Sequence, residues 1–179
     1  MTSRITGEFA IATLAPLTFA DITMPAMDFV VQWSRCGMTA DYIADYLSYS
    51  FERREAARSV IATAANELIE NAAKFSVDKK QPVRVLGRLR GSSLELEVEN
   101  VAAEQHLGIL ERTIEAIHRG NAAALFAERL ESPERGGLGL IILAKDYGAR
   151  MGVHAVPAAH SAFTVKVRAS IVADEVAMR

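Results

Sequence analysis

Between Phe51 and Phe75 the apolar residues fall in pairs: Val60/Ile61, Ala64/Ala65, Leu68/Ile69 and Ala72/Ala73, each pair four residues after the last. Repeated adjacent pairs at that spacing lay one broad stripe along an α-helix; on a strand they would be split between two faces. A helix of this length with so wide a stripe needs a broad apolar partner. The chain supplies one directly afterwards. PVRVLGRLR and SLELEVEN alternate apolar with polar residues on either side of Gly91-Ser92, which predicts a β-hairpin with one face buried.

The remaining segments extend the same pattern. EFAIATLA, Glu8 to Ala15, reads as a strand, an edge strand in keeping with the Pro16 that ends it. Met24 to Arg35 reads as a helix, and Thr39 and Asp41 offer N-cap chemistry for a short helix, ADYIADYLSYS. Two further helices are predicted over 104–117 and 121–130, with Gly120 as a C-cap between them. The loop ESPERGG then leads into an apolar helix, LGLIILAKDYGA, stopped by Gly148. ARMGVHAVP and SAFTVKVRASIV are the last strands. Strands that come in hairpins, not in strict βαβ alternation, predict a two-layer α/β sandwich. Its sheet is mixed and mostly antiparallel, with helices packed on one face. The expectation is a single domain over 1–179, with an N-terminal strand and helices in 1–50 and the core in 51–172.

Composition limits the partners. The chain has 179 residues, half of them hydrophobic, and a net charge of −2, so no global field attracts nucleic acid or an acidic membrane. Cys36 stands alone; no intrachain disulfide can form and a reducing compartment is expected. The N-terminal run has one Arg and then an acid before any apolar stretch, a poor signal peptide. No stretch approaches the ~18 apolar residues of a membrane span. These features predict a soluble cytoplasmic protein without nucleic-acid or membrane partners.

Two places carry candidate chemistry. Glu67, Asn71 and Lys74 are spaced four and then three, so they share one helix face, bordered by Thr63 and Glu70. A carboxylate there can polarise a hydroxyl, an amide oxygen one turn on can ligate Mg²⁺, and an ammonium can hold a phosphate. The plainer alternative is a solvated helix face, against which stands Asn71, a mediocre helix former in an otherwise favourable run. The second place is ERGGLGLIILAKDYG, where Gly136, Gly137 and Gly139 free the backbone at the start of a helix, and Arg135 lies beside them. Unpaired N–H groups and the positive end of the helix suit phosphate oxygens. An ordinary loop entering a buried helix is the alternative. No strand directly precedes these glycines and no Gly-Lys-Ser/Thr follows, so neither the dinucleotide fingerprint nor a Walker A loop applies.

Together the two elements resemble the nucleotide site of the GHKL superfamily, the Bergerat-fold ATPases that include gyrase, Hsp90, histidine kinases and anti-sigma-factor kinases. Glu67-Leu-Ile-Glu-Asn71-Ala72 matches the N box, and Arg135-Gly136-Gly137-Leu138-Gly139-Leu140 is similar to the second glycine box with its first Gly displaced. Ser161-Ala-Phe163-Thr164 resembles the last motif, whose hydroxyl helps seat the base. Where the family has Asp-x-Gly-x-Gly, this chain has Asn100 followed by Val-Ala-Ala. An Asn there, with two helices before the glycine lid, resembles SiaB-type regulators.

The resemblance implies an ATP- and Mg²⁺-dependent Ser/Thr kinase of a partner-switching pathway. Its implied substrate is a STAS-domain protein, opposed by a PP2C-type phosphatase. It implies Glu67 orienting or deprotonating the acceptor hydroxyl and Asn71 holding Mg²⁺. Lys74, Arg135 and the Gly136, Gly137 and Gly139 lid would grip phosphates, Asn100 would read adenine, and Ser161 and Thr164 would sit beside it. The missing glycines after Asn100 leave open a non-catalytic module that binds and sequesters its partner with or without ATP.

His106, His118, His154 and His160 match no common metal spacing and read as surface or strand-end residues. Trp33, Tyr42, Tyr46 and Tyr49 recur at near-helical spacing, which fits core packing or, alternatively, a partner or homodimer surface on the N-terminal helices. Cys36 reads as structural.

Overall fold

The structure, a computed structural model, describes residues 2–9, 15–90, 93–131, 137–159 and 161–172. The strands are β1 (Arg4–Gly7), β2 (Thr18–Pro25), β3 (Pro82–Arg90), β4 (Ser93–Ala103), β5 (Arg150–Pro157) and β6 (Ala162–Val172). The helices are α1 (Ala26–Val31), α2 (Ser34–Ser48), α3 (Arg54–Phe75), α4 (Glu104–Arg119), α5 (Ala122–Glu131) and α6 (Leu138–Tyr147). One sheet runs in the order β1-β5-β6-β4-β3-β2, every pair antiparallel.

The stripe on α3 does what its spacing predicts: Val60, Ile61, Ala64, Ala65, Leu68 and Ile69 are all buried. The alternation of β3 and β4 aims Val83, Val85, Leu94 and Leu96 at the helices, and α2 lies between α3 and the β2–β3 edge. The result is a two-layer α/β sandwich with its helices on one face. Gly148 ends α6 in the left-handed region at φ 60°, where Ala149 N–H donates to Leu143 O at 3.1 Å, the glycine-capped stop expected of it.

The N-terminal quarter departs from expectation. Glu8 and Phe9 lie outside any strand; residues 10–14 of the predicted strand fall outside the described residues. The strands are instead β1 and β2, at opposite edges of the sheet. In β2 the inward positions are Thr18, Ala20, Ile22 and Met24, while the outward Phe19 is 55% exposed; a small residue facing in and an aromatic facing out hide the alternation. The predicted helix from Met24 is two helices, broken at Gln32 and Trp33. Thr39 and Asp41 cap nothing, because α2 begins at Ser34 and carries Thr39 buried in its interior. The stripe Cys36, Ala40, Ile43, Ala44 and Leu47 packs against α3, and that burial overrides local cap preference.

Core packing is also not the role of the aromatic residues. Trp33, Tyr42, Tyr46 and Tyr49 are 43, 57, 49 and 72% exposed. Cys36 is fully buried, and burial pushes its thiol up to about 11, which makes it unreactive.

On the sheet face away from the helices lies a buried ion network. Arg88 Nε donates to Glu95 at 2.6 Å and its Nη2 to Glu97 at 3.0 Å; Arg168 donates twice to Glu97, at 2.9 and 2.6 Å. Phe9 covers the Arg168 guanidinium at 4.1 Å. Burial pushes the Glu97 carboxyl up, but the Arg168 hydrogen bonds and the charges of Arg168, Arg88 and Lys166 outweigh it and hold it below the ordinary value.

Candidate functional site

Beneath α4 is a cavity of about 100 Å³. Leu68, Ala72 and Phe75 of α3 form one wall, Leu107 and Leu110 of α4 another, and Val98 and Val165 the sheet floor. Apolar side chains dominate, and the polar groups among them stand out: Asn71, Asn100, His106 and Thr113. Thr113 is used up locally, since its hydroxyl donates to Ile109 O at 3.0 Å.

Asn100 has a determined orientation. Ser76 Oγ donates its only hydrogen to Ala72 O at 2.8 Å, so towards Asn100 it presents lone pairs. Ala72 O is itself an acceptor. Asn100 Nδ2 donates to both, at 3.2 and 3.3 Å. The amide cannot be turned without facing oxygen to oxygen, so Oδ1 is the atom left for the cavity that Asn100 lines. Sequence reasoning placed an acceptor here; the lock from Ser76 is new.

Glu67, Asn71 and Lys74 follow one another along α3, and their surroundings differ. Asn71 lines the cavity. Lys74 is exposed, its ammonium 5.3 Å from the Phe75 ring centre. Glu67 is half-buried, and burial, then the charge of Glu70, raises its carboxyl above the ordinary range. Glu70 itself accepts from Asn66 at 2.8 Å.

The glycine lid closes onto this helix. Gly137 takes φ +81° as the N-cap of α6, a conformation that favours glycine, and a Cβ there would stand 3.2 Å from Thr113 Cγ2. A Cβ on Gly139 would meet Glu67 Oε2 at 1.7 Å. The glycines therefore let the start of α6 press against α3 and α4 at once. Arg135 and Gly136 lie outside the described residues.

Ser161 and Thr164 are placed apart from the cavity. Ser161 sits exposed at φ 57° in the β5–β6 turn and lines a different pocket, of about 420 Å³. Thr164 pairs with Val101 on the sheet face opposite that of Val165, and it is Val165 and Val167 of β6 that line the cavity.

His106 is the residue whose place sequence reasoning missed. It is half-buried and forms part of the cavity wall, its ring 5.0 Å from that of Phe75 at 49°. Its Nδ1 is buried without a hydrogen-bond partner, an arrangement that costs about 1–3 kcal/mol. The helical stripe 106, 110, 113 contained the signal: a histidine on the same strip as residues that must face the sheet. Among the described residues no group of three or more His, Cys, Asp or Glu side chains could hold a metal ion. No described helix is long and apolar enough to cross a membrane.

α4 is anchored along its length. Near its C-terminal end Ile114 is fully buried and His118 Nε2 donates to Met151 O at 2.8 Å. Over the cavity Leu107 is buried as well, and Arg4 pairs with Glu104 at the exposed first turn.

No family model and no curated protein sequence matches the chain. Among solved structures it is similar to a chain in the crystal structure of the SiaB–SiaC complex from Pseudomonas aeruginosa, with a TM-score of 0.67 and 18% identity, covering 85% of this chain and 89% of that one. At that identity the likeness is one of fold: the two chains share an architecture over nearly their whole lengths.

Proposed function

We propose that the protein is an ATP-dependent Ser/Thr kinase of a partner-switching pathway, built on the GHKL plan, that phosphorylates a STAS-domain partner and is opposed by a PP2C-type phosphatase. One observation carries this reading. The α6 N-terminus, freed by Gly137 and Gly139, lies across from the α3 face that bears Glu67 and Asn71, beside a cavity whose floor offers a fixed acceptor in Asn100. That the fold neighbour belongs to a protein–protein complex supports a protein partner. The donor set fits Mg²⁺ bound through phosphates: Mg²⁺ keeps several waters and needs few protein ligands, and Asn71 supplies one amide oxygen. The ion would neutralise charge on the transferring phosphoryl group. Glu67, its carboxyl raised by burial, would take the proton of the acceptor hydroxyl; Lys74 and the Gly137–Gly139 backbone would hold phosphate oxygens.

The cavity as it stands is smaller than the roughly 150 Å³ that admits one benzene ring. A purine therefore enters only as the cavity walls part. Calorimetry with MgATP tests the reading: wild type binds and Asn71→Ala loses most of the affinity. Absence of binding by wild type ends the kinase reading, and equal binding by both removes Asn71 as the metal ligand.

The tight cavity, and Glu67 packed on Gly139 where phosphates would pass, favour a second reading: a module that sequesters its partner without phosphorylating it. Transfer of labelled phosphate to a co-purified partner separates the two. The exposed aromatic stripe of α2 is proposed as a homodimer surface.

A further inference from the structure

His106 has no place in the roles inherited from the GHKL plan, yet its imidazole is the cavity's unexplained polar group. Three facts bear on it. Nδ1 is buried and unpartnered, while its neighbour Thr113 spends its hydroxyl on Ile109 O. The ring packs at a tilt against that of Phe75, centroids 5.0 Å apart. Asn100, in the same cavity, is locked with Nδ2 on Ala72 O and Ser76 Oγ. The cavity thus combines apolar walls with one fixed acceptor and one imidazole, and little else that is polar. Such a site suits a flat heteroaromatic ring that carries a donor and an acceptor on its edge.

We propose that His106 is a base-reading residue: its imidazole N–H donates to a ring nitrogen of adenine while Asn100 Oδ1 accepts from the exocyclic amine. This rests on the nucleotide-site reading above and deepens it. It explains how adenine is selected here without the family's aspartate and its glycines. Adenine offers an amine and a bare ring nitrogen side by side. Guanine offers a carbonyl and an N–H in their place, so it faces acceptor with acceptor at Asn100 and donor with donor at His106. The Ser76 lock prevents Asn100 from turning to accommodate it.

Calorimetry with MgATP, MgGTP and free adenosine tests this on wild type, His106→Phe and His106→Gln, with melting curves confirming that each is folded. Phenylalanine keeps the stack on Phe75 and removes both nitrogens; glutamine restores a donor. Wild type is expected to prefer ATP to GTP by at least about tenfold. His106→Phe should bind ATP and adenosine about tenfold more weakly, one lost hydrogen bond with its partner left unpaired, and narrow the preference. His106→Gln should recover to within about threefold. Adenosine should also shift the His106 imidazole ¹⁵N resonances of wild type. If wild type binds MgATP and His106→Phe binds it equally well with the same selectivity, the inference is overturned while the nucleotide site stands. If wild type binds no MgATP, both fall.

Discussion

Two regions of this molecule that bury polar groups treat them oppositely. On the open face of the sheet, Arg88, Glu95, Glu97 and Arg168 are each 7–9% exposed, and each carboxylate is met by guanidinium donors. Around the cavity and the start of α6, Glu67, Asn100 Oδ1 and His106 Nδ1 lie partly or wholly out of water and accept or donate nothing among the described residues. A satisfied network holds its strands in register; it has no capacity left for a ligand. An unsatisfied one destabilises the resting fold and is relieved when something binds.

The carboxylates give the sharpest test, because their pH dependences have opposite signs. Glu97, held below its ordinary value of 4.5, contributes stability that is present above that pH and lost as pH falls through the lowered folded value. Glu97→Gln should therefore destabilise by about 3 kcal/mol at neutral pH, leaving buried arginine charge unpaired, and the gap should close in acid; denaturant titrations across pH measure it. If Glu97→Gln is neutral, the network is not structural in the sense argued here.

Gly139→Ala is next, at about 2 kcal/mol from overpacking against Glu67. Glu67→Ala in the same chain should recover much of that loss, with a coupling of about 1 kcal/mol in a double-mutant cycle. Additive effects would mean that lid and carboxylate do not meet.

Glu67→Gln reverses the sign of Glu97→Gln. Its carboxyl is raised above 4.5 in the fold, so stability falls as pH climbs through the folded value, and the wild type carries the penalty in full at neutral pH. The glutamine variant should be more stable by about 0.5–1 kcal/mol at pH 7 and no different in acid. The same variant should lose phosphotransfer if Glu67 acts on the acceptor hydroxyl.

Tyr46→Ser should move folding stability by no more than about 0.5 kcal/mol, as expected of an exposed side chain. If α2 is a homodimer surface, sedimentation should nevertheless show weaker self-association. A large stability loss would return the tyrosines to the core.

The sequence made the satisfied parts of the molecule easier to read than the unsatisfied ones. α3, the β3–β4 hairpin, α6 and the last two strands follow from period and from turn residues, because their burial is regular. β2 escaped detection, since Ala20 faces in and Phe19 out; α2 overran its expected cap, since tertiary packing outweighs a single polar side chain. At the site, spacing brought Glu67 and Asn71 together, and the motif brought Gly137 and Gly139 to them. The Ser76 lock and the role of His106 depend on which atoms have partners, and no one-dimensional pattern records that. Thr164 fell on the wrong face by one residue of register.

The order of the strands has a consequence for how this chain is made. Of the described strands β1 and β2 come earliest in the sequence, yet each closes an edge of the sheet against a strand formed later. β2 waits for Val83–Leu89, and β1 waits for Gly152–Ala155. As the chain leaves the ribosome, β2 has no strand to pair with until about half of these residues have emerged, and β1 waits for most of them. Both pairings close long loops, which slows folding. During that interval the exposed strand-forming stretch of Thr18–Pro25 is the part most open to the wrong neighbour.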